Sequence, residues 1–191
     1  MRHPRFTATR NGVIAGVVTF LLLGAATAVL GSNPHENKPL QGTLQGASTI
    51  TGVSGAVVSS TSTGTLSASH FGSGTYELVS TQDYGRHVEA QHPAGDCAFV
   101  DGTMTLTAAN GDEMTGDVDA DRSVICVSEE FPGPGSDAEY QSTLVVDVTG
   151  GTGRFADATG WFFSRSTSTA DAPPAGTTFT DVGGLWGDID Y

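Results

Sequence analysis

One short segment of the chain carries four side chains of the types that bind zinc. They could offer two imidazole nitrogens and carboxylate oxygens to a metal ion. Their spacing matches no standard zinc site, so we interpret the segment as a solvated loop, and the sequence predicts no metal. The four side chains are His87, Glu89, His92 and Asp96.

A second group of carboxylates begins like a calcium-binding loop, with aspartates at positions 117, 119 and 121. Arg122 stands where the sharp turn of such a loop needs glycine, and Ser128 stands where a bidentate glutamate belongs. An EF-hand is therefore excluded. Weak surface binding of calcium stays open beside the interpretation we favour, a charged outer strand face that discourages edge pairing.

His70 and Tyr76 are the candidate ligand-binding residues. By alternation each falls on the face that also carries Leu66, Ala68 and Leu78. A small-molecule cavity typically orients its ligand with a few polar groups that lie among apolar side chains. The alternative is that both are core residues that form hydrogen bonds.

Two familiar catalytic and cofactor patterns fail in this sequence. Residues 151–156 fit a dinucleotide-binding glycine pattern, but a glycine and a β-favouring aromatic run follow at 160–163, where a helix would be needed. No Gly-x-Ser-x-Gly elbow marks a serine nucleophile. The sequence therefore predicts neither a cofactor nor a catalytic residue.

The elements that must position these residues are β-strands. Alternation is clearest over 98–108, an Asn-Gly hairpin signal follows at 110–111, and the return strand repeats the alternation. About eight short strands joined by glycine-rich turns predict an all-β barrel or sandwich. The other predicted strands cover 43–59, 65–70, 75–81, 124–128, 140–149, 158–167 and 177–191.

Three longer connections separate these strands, at 83–96, 129–139 and 170–176. They contain prolines and glycines, and they exceed the usual loop length of about 4–6 residues. Connections of this length often serve function. We expect the mouth of any ligand site there.

The two cysteines predict one disulfide, Cys97–Cys126. If the two hairpin strands kept one register, residues that face each other would have numbers with an even sum, as Leu106 and Val118 do. The cysteine numbers have an odd sum. We therefore predict a β-bulge or a break near 119–122 that shifts the register by an odd number of residues.

The N-terminal residues predict a secretory signal. Three arginines precede an apolar run over 13–30, and Ala-Thr-Ala at 26–28 suits signal peptidase. We assign 1–28 to the signal peptide, 29–39 to a flexible lead-in and 40–191 to one domain. An uncleaved membrane anchor is the alternative for the leader.

Charge excludes one class of partner. Cleavage would remove three of the eight basic residues and none of the 21 acidic ones, which takes the formal net charge from −13 to −16. Such a surface repels phosphate, so we expect no nucleic-acid partner and no stable membrane association after cleavage. We expect the protein outside the cell.

Residues 150–160 resemble the Gly-Gly-x-Gly-x-Phe-x-x-Ala-x-Gly signature of the allene oxide cyclase and dirigent family, and 106–112 look like a turn of its secreted bacterial members. The resemblance implies an eight-stranded antiparallel β-barrel with a small cavity, and a homotrimer as in the plant branches. The matching residues are Gly150, Gly151, Gly153, Phe155, Ala158 and Gly160.

The resemblance concerns architecture, because no cavity residue of either branch maps onto this sequence. Plant cyclases close a fatty-acid epoxide, and dirigent proteins orient phenoxy radicals. We expect a protein that binds or guides a small, largely apolar molecule without covalent catalysis of its own. A cyclase or isomerase acting in the cavity is one alternative, and an extracellular structural module with a filled barrel is another.

Overall fold

The described part of the chain consists almost entirely of β-strands. The computed structural model describes residues 37–86, 97–127, 137–171 and 178–191. Valine, threonine and aromatic residues favour the pleated conformation, and buried and exposed side chains alternate along the strands. The strands are β1 (Lys38–Ser54), β2 (Val57–Ala68), β3 (Gly72–Asp83), β4 (Cys97–Thr107), β5 (Glu113–Val118), β6 (Val124–Val127), β7 (Asp137–Gly151), β8 (Thr159–Asp171) and β9 (Thr178–Asp190), and a 3-10 helix covers Gly153–Phe155.

The first strand begins slightly earlier than the domain boundary predicted from the sequence. β1 starts at Lys38, so Lys38 and Pro39 belong to the sheet and pair with the end of β9. The Lys38 ammonium also donates a hydrogen bond of 3.0 Å to the Tyr191 carbonyl. The predicted signal peptide and residues 29–36 of the lead-in lie outside the described residues.

The strands close into an eight-stranded antiparallel barrel, which confirms the predicted architecture. The sheet order is β3-β2-β1-β9-β8-β7-β5-β4-β6, and the pairings β3–β4 and β7–β6 join its edges. β5 and β6 lie end to end between β4 and β7, so the nine described strands occupy eight positions. Closure pairs the edges that an open sheet would expose.

The interruption between β5 and β6 confirms the register break predicted from the cysteines. Gly102 of β4 pairs with Val118, whereas Phe99 pairs with Val124, so three extra residues lie on the β5–β6 side. An odd number of extra residues exchanges the inner and outer faces. Cys97 and Cys126 therefore lie directly opposite each other and form the disulfide.

One strand predicted from the sequence forms two separate strands in the structure. Residues 43–59 were predicted as continuous, but β1 ends at Ser54, and Gly55, with φ of 63°, turns the chain into β2. Apolar residues on both sides of the turn hide it in the sequence. The separate strand predicted at 65–70 is the end of β2, which stops at Ala68.

Aromatic side chains fill one end of the barrel, where the β2–β3, β4–β5 and β7–β8 connections lie. Phe155, from the 3-10 helix, stacks on Phe71 at 4.7 Å between ring centroids, and Tyr191 meets Phe155 edge-on at 4.9 Å. We name this end the floor. Its other fully buried side chains include Leu40, Leu106, Met114 and Ile189.

The glycine-rich motif forms the corner between β7 and β8, beside the floor. Gly160 has φ of 119°, and a Cβ there would lie 2.3 Å from the Asp188 carbonyl oxygen, so only glycine fits this close approach. Phe155 and Ala158 point into the core and are almost fully buried. The motif therefore fixes the corner and supplies part of the floor.

Candidate functional site

A cavity of about 100 Å³ lies inside the half of the barrel away from the floor. The late part of β1, the early part of β2 and the late part of β3 contribute to its wall. This volume is well above the roughly 10–15 Å³ that one water molecule needs. Its apolar wall includes Leu44, Ile50, Val58, Val100, Ile125 and Phe179.

The cavity lies toward the end of the barrel at which the three long predicted connections leave the strands. Strands β3, β4, β6, β7, β8 and β9, which flank these connections, contribute lining residues. Most of each connection, at 87–96, 128–136 and 172–177, lies outside the described residues. The prediction of a ligand mouth there stays a prediction.

Tyr76 lines the cavity, as predicted. Its ring lies across two neighbouring strands, because Gly64 of β2 and Gly46 of β1 leave the space: a Cβ on Gly64 would meet the Tyr76 ring at 2.7 Å, and one on Gly46 would meet its hydroxyl at 2.5 Å. Asp181 of β9 pairs with Gly46 and therefore continues this cross-strand row. Burial, and secondarily the charge of Asp181, raise the pKa of Tyr76 to about 12.

Asp181 is a buried carboxyl group in the cavity wall, only 8% exposed. It accepts a hydrogen bond from the Ser48 hydroxyl, which also contacts the Ser62 hydroxyl, and it receives a second hydrogen bond from Ser168. Burial raises the pKa of Asp181, while the serine hydrogen bonds act in the opposite direction. None of the described lining residues is Lys, Arg or His.

Two further groups of hydrogen-bonded polar side chains lie in the cavity wall. Ser60 and Ser80 are hydrogen-bonded at 3.0 Å, and the Gln82 amide donates to Ser60 at 3.2 Å. Ser142 and Ser166 are hydrogen-bonded at 2.7 Å. Each group satisfies polar atoms that burial would otherwise leave without partners.

The wall near the long connections is aromatic. Tyr140 and Phe179 meet edge to face, with 5.5 Å between ring centroids, and Tyr84 packs against the same cluster. Burial raises the pKa of Tyr140. The cavity thus combines aromatic faces, hydroxyls and one carboxyl group.

His70 does not line the cavity, so its placement beside Tyr76 was wrong. β2 ends at Ala68, and His70 lies in the turn to β3 with φ of 68°. Its ring meets Tyr191 edge-on at 5.8 Å, and its Nε2 lies 3.2 Å from the Pro39 carbonyl oxygen. Strand alternation does not apply to a residue beyond the end of the strand.

The candidate metal sites have different outcomes. The group at 87–96 that contains His87, Glu89, His92 and Asp96, interpreted from the sequence as a solvated loop, lies outside the described residues. Asp119, from the calcium-like group, instead accepts hydrogen bonds from the Asp121 and Arg122 backbone amides and pairs with the Arg122 guanidinium. Within the described residues, no cluster of three or more His, Cys, Asp or Glu side chains could hold a metal ion.

Three lining residues were not predicted from the sequence: Asp181, Ser48 and Phe179. Asp181 has the same parity as Phe179 and Leu185 along β9, and both of these apolar residues are buried. This alternation is a signal that could have identified an inward-facing carboxyl group. Two glycines between these residues weaken the apolar pattern, which is why the aspartate looked like an ordinary surface charge.

Comparison with known proteins found no match to a family model, a curated protein or a solved structure. The cavity and its side chains are therefore the features from which a function can be inferred. Over the residues that the structure describes, no helix has the length and hydrophobicity to cross a membrane.

Tyr76 is expected to ionise only near pH 12, later than an unburied tyrosine. Because the folded state keeps a proton that the unfolded chain releases near pH 10, the contribution of Tyr76 to stability is full below pH 10 and is lost between about pH 10 and 12. Spectrophotometric titration of tyrosinate checks this. The Tyr76→Phe variant should lose absorbance that develops near pH 12 in the wild type, and loss of absorbance that develops near pH 10 instead would contradict the burial of Tyr76.

Proposed function

We propose that this protein is exported and that it binds or guides a small, largely apolar molecule in the barrel cavity, without covalent catalysis of its own. The observation that carries the proposal is the cavity itself. Mostly apolar walls with a few placed polar groups are typical of small-molecule sites. Here those groups are Tyr76, Asp181 and the serine hydroxyls.

Two features support export. The predicted leader at 1–28 has the charge and apolar run of a secretory signal. The disulfide between Cys97 and Cys126 is of a kind that persists in oxidising compartments. The acidic net charge argues against nucleic acid as a partner.

We also propose kinship with the allene oxide cyclase and dirigent barrels. The support is the barrel of eight strand positions together with the glycine-rich corner at 150–160, where Phe155 and Ala158 are buried. A homotrimer is the assembly that this kinship implies. Subunit counting by native mass spectrometry tests it.

A cyclase or isomerase acting in the cavity is the second candidate function. The observation that favours it is the proximity of Tyr76 and Asp181, two groups whose burial raises their pKa and so favours their protonated forms. A structural module with a filled barrel is disfavoured, because side chains leave about 100 Å³ of the interior empty.

Filling the cavity is expected to weaken the binding of a small neutral probe, benzyl alcohol. Ser80 points inward and is buried, whereas the adjacent Val79 points outward and is 51% exposed. Ser80→Phe should therefore weaken binding at least tenfold, and Val79→Phe should leave it unchanged. Titration calorimetry or protein-observed NMR measures the affinity, and circular dichroism verifies that both variants are folded.

If benzyl alcohol binds both variants equally, or if neither it nor an amine or carboxylate of the same shape binds the wild type, the cavity is not a binding site. Native mass spectrometry of protein secreted into culture medium complements the titration. It reports leader removal, subunit number and any retained small molecule in one measurement. A leader still attached to the secreted protein would contradict the predicted cleavage.

A further inference from the structure

The cavity has one carboxyl group and no basic residue among its described lining side chains. Among the described lining residues, Asp181 is the single aspartate or glutamate, and none is Lys, Arg or His. A buried carboxylate without a cationic partner is unfavourable for stability. Such a group is therefore a candidate for binding a cation from solution.

The hydrogen bonds around Asp181 hold the group in place but do not neutralise it. Its partners are the hydroxyls of Ser48 and Ser168, and Ser48 also contacts Ser62. Hydroxyl donors orient a carboxylate and leave its formal charge uncompensated. A cation that enters the cavity would supply the missing charge.

The rest of the wall suits a cation as well. Tyr76, Tyr84, Tyr140 and Phe179 all line the same cavity. The face of an aromatic ring attracts an ammonium group within about 6 Å of its centroid, and the attraction strengthens when water is excluded. The formal net charge of −13 also favours the approach of cations over anions.

We propose that the cavity binds a small organic ammonium ion, with Asp181 as its ionic partner, the four rings as its aromatic surroundings and the apolar wall as the site of its hydrocarbon body. This inference rests on the proposed binding function and names the chemical class of the ligand. The carboxylate and the rings favour an ammonium ion, from primary to quaternary, that carries an apolar group. A neutral or anionic molecule of the same size is disfavoured.

The test uses three probes of nearly equal shape and different charge: benzylamine, benzyl alcohol and benzoate, each titrated at pH 7 against the folded protein. Benzylamine, which is protonated at this pH, should bind at least tenfold more tightly than benzyl alcohol. Benzoate should bind at least tenfold more weakly than benzyl alcohol.

Asp181→Asn should remove the preference for benzylamine over benzyl alcohol to within about twofold, while benzyl alcohol itself still binds. Asp188→Asn is the matched control, because Asp188 lies exposed on the same strand and its replacement changes the net charge equally. The control should keep the full preference. A melting temperature for each variant verifies folding, and Asp181→Ser replaces Asp181→Asn if the latter is unfolded.

The outcomes separate this inference from the proposed function. If no probe binds, the binding function itself is wrong. If all three bind alike, or if benzylamine keeps its advantage in folded Asp181→Asn, the cavity is a binding site but the ammonium assignment is overturned. Loss of the preference in Asp188→Asn would show that net charge, and not Asp181, produces it.

Discussion

Replacement of Phe155 by alanine is expected to lower the free energy of unfolding by about 3–5 kcal/mol. The side chain has no solvent exposure, stacks on Phe71 and meets Tyr191 edge-on. Its removal leaves a void at the floor that strands fixed by hydrogen bonds on both sides cannot readily fill. Chemical denaturation followed by fluorescence or circular dichroism measures the loss.

Phe163→Ala is the matched control for this prediction. Phe163 lies on the outer side of β8, where it is half-buried and contacts Trp161 and Trp186. Since it packs at the surface, its removal should lower stability by only about 1 kcal/mol. If Phe163→Ala proves as damaging as Phe155→Ala, the floor is not the main packed core.

Loss of the disulfide is expected to lower the free energy of unfolding by roughly 3–4 kcal/mol. Cys97 and Cys126 are 29 residues apart, and a cross-link over this separation restricts the unfolded chain by about that amount. The effect should also reach the cavity, because the bond joins β4 to β6, whose four residues include the lining residue Ile125.

Denaturation of the wild type with and without reductant measures the effect of the disulfide, and Cys97→Ala combined with Cys126→Ala provides the comparison. The double variant should resemble the reduced wild type and should not respond to reductant. If the oxidised wild type and the double variant unfold at the same denaturant concentration, the cross-link contributes nothing. Benzyl alcohol binding to the double variant reports on the wall near Ile125.

Much of the architecture could be predicted from local signals in the sequence. Alternation over 98–108, with the Asn-Gly turn that follows, placed β4 and β5 on the correct faces, and the odd sum of the cysteine numbers located the break after Val118. These signals work because strand periodicity is two and cross-strand pairs must share a face. The turn at Gly55 escaped prediction because apolar residues continue through it.

Less of the candidate site was predictable, because a cavity is a property of the closed barrel. Tyr76 was identified by alternation, but its reach across two strands depends on Gly46 and Gly64, which lie far from it in sequence. His70 was misplaced, because the chain reverses before reaching it. Asp181 was overlooked, since charged residues on strands are usually outside.

The separation of the floor from the cavity has a consequence for how this protein can change. Phe71 and Phe155 lie at one end of the strands, and Tyr140 and Asp181 lie nearer the other. Substitutions among the cavity-lining residues should therefore change the shape and charge of the cavity while the packed floor still holds the chain folded. The scaffold is suited to diversification, by natural drift or in the laboratory, through exchange of a few inward side chains.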